Sequence, residues 1–228
     1  MRSSTWHALG NVYLLVEGAE LTAEIARTAS PGTDGVLEVV DTGPDWAEIR
    51  IWNPDGSLAE MSGNGTRIAA RWLAESTGAK AVTVRVGALS VAARMLDEFL
   101  VEQDLGEVTV WPAEQIAGVE VVRVSVGNPH AVVRGDPAEI VRLGVLLETH
   151  PRFPDRTNVQ VARLDGPHEA TARVWERGVG ETSSSGTSAI AVAAALGLNP
   201  GRVRFPGGAL DVRFEGGRAF LTGPAQRL

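Results

Sequence analysis

The chain has 228 residues, of which 44% are hydrophobic and 21% charged, a composition that suits one large or two small globular domains and excludes a disordered or fibrous protein. A net charge of −7 and a pI near 5.2 argue against nucleic acid or an anionic membrane bound through bulk charge. There is no cysteine, which excludes disulfides, thiolate metal sites and cysteine nucleophiles; no apolar run is long enough to span a bilayer, and no secretory signal core opens the chain, so the expected compartment is the cytoplasm.

Trp6 to Val16 reads as a strand interrupted at Leu9-Gly10-Asn11, where a simple turn accounts for the residues. Leu21 to Thr28 is helix-like, and the loop Ser30 to Gly35 feeds a strand from Val36 to Asp41. Trp46 to Trp52 alternates apolar and polar residues as a half-buried strand does. It delivers the chain to Asn53-Pro-Asp-Gly-Ser57 and then to the turn Ser62-Gly-Asn-Gly65, which opens into an apolar helix pattern from Ile68. Ala81 to Ala93 and Glu98 to Val101 read as further antiparallel strands, and at Val110 to Glu114 the pattern breaks. That break divides the chain into an amino-terminal lobe, 1–112, and a carboxy-terminal lobe, 113–219.

Val119 to Val126 is a Val-rich strand ending in Gly127-Asn-Pro-His130. Ile140, Val141, Leu143, Leu146 and Leu147 recur at helical spacing within Pro137 to Leu147. Strands at Asn158 to Ala162 and Ala170 to Trp175 lead into a second glycine-containing turn, Glu176 to Gly186, and a small-residue helix from Ile190 to Leu196. Val203 to Phe205, Leu210 to Phe214 and Arg218 to Leu221 close the chain as short strands. Strong β signals with brief helices predict an α+β fold, and two matched strand–turn–helix units predict a duplication.

A helix N-terminus offers unpaired N–H groups and the positive end of a dipole, so it binds carboxylate or phosphate without a lysine or arginine. Both turns supply one, and Gly63 and Gly65 in the first and Gly186 in the second would let a ligand approach the backbone closely. Neither has the lysine of a phosphate-binding P-loop or the spacing of a dinucleotide fingerprint. The competing reading is an ordinary N-cap, since serine and asparagine are favoured there. Two turns, each preceded by acidic residues (Asp55 and Glu60; Glu176 and Glu181), favour a ligand site. The four histidines are scattered, so no metal is expected. His130, at a strand end, is the functional candidate among them. A Ser/His/Asp hydrolase would use the same residues, but Ser62 and Ser185 lack the G-x-S-x-G elbow.

In family order the chain carries Leu9-Gly-Asn11, Gly32-Thr-Asp-Gly35, Asn53-x-Asp-Gly-Ser57, Gly63-Asn-Gly-x-Arg67, Gly127-Asn-Pro-His130, Phe153-Pro-x-Arg-x-Asn158, Glu176-Arg-Gly-x-Gly-Glu-Thr182 and Thr222-Gly-Pro-Ala225. By these motifs it resembles the diaminopimelate epimerase family of cofactor-independent amino-acid epimerases and racemases. The resemblance implies two pseudo-symmetric lobes, each a mostly antiparallel sheet wrapped around a central helix, with the last strand, about 220–228, packing back on the first lobe. It implies a small amino-acid substrate, no cofactor, and room for a homodimer. Asn11, Asn53, Asn128, Asn158, Glu176 and Arg177 would bind the substrate's distal group or its reacting end. Gly63, Asn64, Gly186 and Thr187 would hold its α-carboxylate.

In the family two cysteines face each other across the α-carbon, and the resemblance sets Ser62 and Ser185 at those positions. A thiol titrates near ~8.5 and an aliphatic hydroxyl nearer water's ~15.7. The gap of about seven units, at ~1.36 kcal/mol each, is roughly 10 kcal/mol of driving force for forming the base. A helix dipole, at most about 2 kcal/mol, does not recover it. Three explanations stand open: serines placed to abolish turnover, a relative running another isomerisation with His130, Glu176 or an aspartate as base, or a binding protein that has lost catalysis. Ser184 and Ser188, where family members more often carry alanine or glycine, fit natural drift.

Overall fold

The computed structural model describes residues 2–228. The chain divides into two compact units, Met1–Asp104 with Thr222–Leu228, and Leu105–Leu221. The first carries β1 (Arg2–Ala8), β2 (Asn11–Glu17), α1 (Ala23–Ala29), β3 (Gly35–Thr42), β4 (Trp46–Trp52), β5 (Leu58–Ala59), α2 (Gly63–Thr77), β6 (Ala81–Val86), β7 (Leu89–Met95) and the start of β8 (Leu100–Glu107). The second carries β9 (Thr109–Val110), β10 (Glu114–Ile116), β11 (Val119–Ser125), β12 (Pro129–Arg134), α3 (Ile140–Glu148), β13 (Asn158–Gly166), β14 (Glu169–Glu176), β15 (Gly180–Thr182), α4 (Gly186–Leu196), β16 (Gly201–Phe205), β17 (Gly208–Glu215) and the first part of β18 (Arg218–Pro224). A last strand, β19 (Gln226–Arg227), pairs with β1 through Trp6 and His7.

The fold is α+β, and one strand plan occurs twice. In the first unit β1 and β2 form a hairpin, β2 runs parallel to β3, β3 antiparallel to β4, β4 parallel to β6, and β6 antiparallel to β7. In the second unit β11, β12, β13, β14, β16 and β17 repeat those six strands with the same five senses of pairing. The short strands β5 and β15 sit on β4 and β14, each just before a buried helix. Sheet registers coincide as well: Tyr13 lies beside Gly35 as His130 lies beside Asn158.

The two buried helices are set by their ends and their burial. Ser62 is extended (φ −139°, ψ 119°) and caps α2 by accepting from Gly65 N–H, and Gly78 ends the helix in the left-handed region (φ 77°). Every residue from Gly63 to Ala74 is buried. Ile68, Ala69, Ala70, Trp72 and Leu73 pack into one core with Trp6, Leu15, Leu37, Ile49, Ile51 and Val101. Each large side chain removed from water there contributes about 1.5–3 kcal/mol. In α4, Ala189, Ala191 and Ala193 are fully buried, and side chains this small let strands approach the helix closely.

Two sequence expectations are refined. The segment from Trp6 to Val16 is two strands, because Leu9 (φ 51°) and Gly10 (φ 85°) turn the chain back on itself. Both central helices begin earlier than their apolar patterns, at Gly63 and Gly186. Glycine's low helix propensity hides those first turns, and burial with the extended Ser62 and Ser185 caps fixes them.

Candidate active site

In the first unit the start of β2, the start of β3 and the end of β4 lie at one end of the sheet, since Tyr13 is beside Gly35 and Val36 opposite Trp52. This sets Asn11, Asp34 and Asn53 at that end, and Asn11 reaches Asn64 in the first turn of α2. Asn64 is buried; its Nδ2 donates to Asn11 Oδ1, and its Oδ1 accepts from Arg67 Nη2 at 2.7 Å. Arg67 is wholly buried and also donates from Nε to Pro224 O at 3.0 Å. Burial pushes its guanidinium down to about 10, still charged at neutral pH. Ser62 is half-buried; its Oγ accepts from Gly65 N–H at 3.0 Å and lies 3.1 Å from Tyr13 Oη. Asn53 turns to its own loop, donating from Nδ2 to Ser57 Oγ at 3.0 Å.

The second unit repeats the plan with other side chains. The start of β12, the start of β13 and the end of β14 gather Asn128, Asn158 and the Glu176-Arg177 turn near the start of α4, with Val159 opposite Trp175. Asn128 Nδ2 donates to Thr187 Oγ1 at 3.3 Å, as Asn64 and Asn11 are joined in the first unit. Asn158 ties two segments together, donating to Pro129 O and accepting from Arg177 N–H, each at 3.0 Å. Glu176 Oε1 accepts from Thr182 Oγ1 at 2.5 Å. Ser185, the N-cap of α4, is 8% exposed and its side chain makes no capping hydrogen bond.

His130 lies at the start of β12, buried, with both ring nitrogens engaged. Nε2 is 2.9 Å from Asn128 Oδ1, and Nδ1 is 3.0 Å from Gln160 Nε2, which also donates to Ser188 Oγ at 2.9 Å. A neutral ring with its proton on Nε2 satisfies both contacts. Burial pushes this histidine down to about 3; the Gln160 bond opposes that shift and the Arg177 charge adds to it.

Glu148 and Tyr13 escaped the sequence reading. Glu148, the last residue of α3, is buried and accepts from Trp175 Nε1 at 2.8 Å and from Gly178 N–H at 2.7 Å, with Arg156 Nη2 2.7 Å away. It thereby brackets the Glu176-Arg177 turn on both sides. Burial acts to raise its pKa, but these hydrogen bonds and the arginine together outweigh it and hold the carboxyl below its ordinary range. Glu148 carried no signal, being one acidic residue at a helix end. Tyr13 carried one: it follows Asn11 by two as His130 follows Asn128, so aligning the two halves would have singled it out.

A sequence profile of diaminopimelate epimerase matches residues 4–111 and 122–228. The chain belongs to the diaminopimelate epimerase family. Diaminopimelate epimerases from Synechocystis sp. and Pseudomonas aeruginosa are each 34% identical to it, covering 99% and 100% of this chain and 96% and 97% of theirs. In fold it is similar to a predicted epimerase from Pseudomonas aeruginosa (TM-score 0.79, 17% identity, 100% of this chain and 96% of that one). It is similar also to a hydroxyproline epimerase from Agrobacterium vitis (TM-score 0.69, 15% identity, 99% and 88% covered), a structure that holds trans-4-hydroxy-L-proline. Family membership makes the chain part of an isomerase family of epimerases and racemases, with the two-lobed α+β fold that family has.

Proposed function

We propose that this protein is a slow amino-acid epimerase of the diaminopimelate type, exchanging and inverting the α-hydrogen of LL- or meso-diaminopimelate with hydroxyls where the family uses thiols. The observation that carries this reading is the pair of equivalent helix starts, Ser62 at α2 and Ser185 at α4, each flanked by a polar side chain, Asn64 or Thr187, joined to an asparagine at or just before the start of a strand, Asn11 of β2 or Asn128 before β12. N–H groups at Gly63, Asn64, Gly186 and Thr187 take the α-carboxylate, which disperses the charge of the carbanion formed when the α-proton leaves. Asn11, Asn53, Asn128, Asn158, Glu176 and Arg177 bind the remaining amino and carboxyl groups. Ser62 and Ser185 stand for the acid and the base. The contacts of both His130 nitrogens inside the fold support a role in positioning Asn128 rather than as the base.

The serines also motivate a second reading, a binder of the same amino acids that leaves the α-carbon untouched. Incubation with diaminopimelate in deuterated water, followed by NMR, separates the two: slow loss of the α-proton signal supports the first. Calorimetric binding with no exchange over days would establish the second. An Arg177→Ala variant that binds as tightly as the parent would count against the pocket in both.

A further inference from the structure

We propose that Tyr13 is the acid–base group of the first half-site, acting on the substrate through the Ser62 hydroxyl; this rests on the epimerase reading above. Tyr13 Oη lies 3.1 Å from Ser62 Oγ, within hydrogen-bond reach, and Ser62 Oγ simultaneously accepts from Gly65 N–H at 3.0 Å. The ring has a built seat. Tyr13 is 8% exposed, and a Cβ on Gly35 would come 3.0 Å from its Cε1 and 2.5 Å from Trp52 O, so only glycine beneath it leaves the phenol where it is. The repeat supplies a contrast: at the equivalent place His130 turns to Asn128 and Gln160, and the Ser185 side chain makes no capping hydrogen bond.

The chemistry follows from proton affinities. A phenol ordinarily titrates near ~10, about 1.5 units above a thiol, whereas an aliphatic hydroxyl lies several units higher. In the forward step the α-carbon's C–H bond breaks and its electron pair stays on carbon, spread into the carboxylate. The proton forms a new bond to Ser62 Oγ as the serine's own hydroxyl proton passes to the Tyr13 phenolate. Charge moves from phenolate to carbanion, and no oxidant or further reactant is needed. On return Ser62 gives its proton to carbon and regains one from the Tyr13 phenol. Gly65 N–H holds the oxygen through which both protons pass.

Tyr13 is the only tyrosine of the chain, so ultraviolet absorbance reads its ionisation alone. Two measurements test the relay, the phenol midpoint in parent and Ser62→Ala, and α-proton exchange of diaminopimelate against pH. Loss of the hydroxyl that donates to the phenolate is expected to raise the midpoint by roughly half a pH unit or more. Exchange in the parent is expected to rise about tenfold per pH unit from neutrality toward that midpoint, following the phenolate fraction. Tyr13→Phe should flatten that rise and slow exchange at least tenfold, yet leave a Ser62→Cys variant, which carries its own base, nearly unaffected. A tyrosine that merely supports the fold would slow both backgrounds alike, and that result overturns the relay. So does an unmoved midpoint in Ser62→Ala. Exchange with the same rate and slope in Tyr13→Phe overturns the relay and leaves the epimerase reading standing; a parent that exchanges nothing at any pH overturns both.

Discussion

Mild acid tests the buried state of His130. The side chain is 1% exposed, and burial pushes it from 6.5 in the unfolded chain down to about 3 in the fold. A folded pKa below the unfolded one means that the unfolded chain binds the proton first. The full contribution of the neutral ring is therefore present above pH 6.5 and is lost as pH falls toward 3. Each pH unit in that window costs about 1.36 kcal/mol, so going from pH 7 to pH 5 removes about 2 kcal/mol through this residue. Most carboxylates remain ionised over the same range, which keeps their titration out of the measurement. Urea unfolding of the parent and of His130→Gln, followed by tryptophan fluorescence at half-unit steps, gives the difference in slope. The parent is expected to lose about 2 kcal/mol more than the variant between pH 7 and pH 5. Parallel curves, within about 0.5 kcal/mol, would show that His130 takes a proton as readily in the fold as outside it, and would refute the buried neutral ring.

Glu148 has a carboxyl held below its ordinary value, so its contribution is present above about pH 4.5 and is lost as pH falls through the lower folded value. The stability gap between the parent and Glu148→Gln should accordingly close below pH 4.5, which acid titration of both by circular dichroism would reveal. At Gly144, on the same face of α3, a Cβ would lie 2.5 Å from Trp175 Cγ. Gly144→Ala gains about 1 kcal/mol in helix propensity but overpacks a tryptophan at about 1–3 kcal/mol. A lower urea midpoint with altered Trp175 fluorescence is expected, and a higher midpoint would contradict the packing. Arg67→Lys keeps the charge but loses the fork that reaches both Asn64 and Pro224, so about 1–3 kcal/mol of stability should go. Faster hydrogen exchange along 222–228 is the accompanying signature.

The sequence carried its organisation in local patterns. Trp46 to Trp52 alternates and is a strand over those residues, and the two glycine turns stand where their motifs lie. The anion-binding reading of the helix starts needs only a cap, a glycine and an apolar run, all short-range features. Partners across the fold were not legible. Nothing near Glu148 in the chain announces Gly178, 30 residues on, and nothing near Tyr13 announces Ser62, 49 residues on. Such pairs come from sheet register and helix placement, which periodicity does not encode. His130 shows the same limit from the other side: the strand-end position was visible, but the Gln160 amide that occupies its Nδ1 was not.

On the proposed reading, hydroxyls at Ser62 and Ser185 stand where the family's thiols do the chemistry, so the fold and the carboxylate grip would persist while proton transfer is slow. Exchange of the α-proton of diaminopimelate in deuterated water, compared between the parent and Ser62→Cys/Ser185→Cys, tests it directly. Slow exchange is expected in the parent, with a rise of roughly 100- to 10,000-fold in the double variant, the range positioned acid–base groups supply. A double variant no faster than the parent, on diaminopimelate and on a panel of other amino acids, would contradict it.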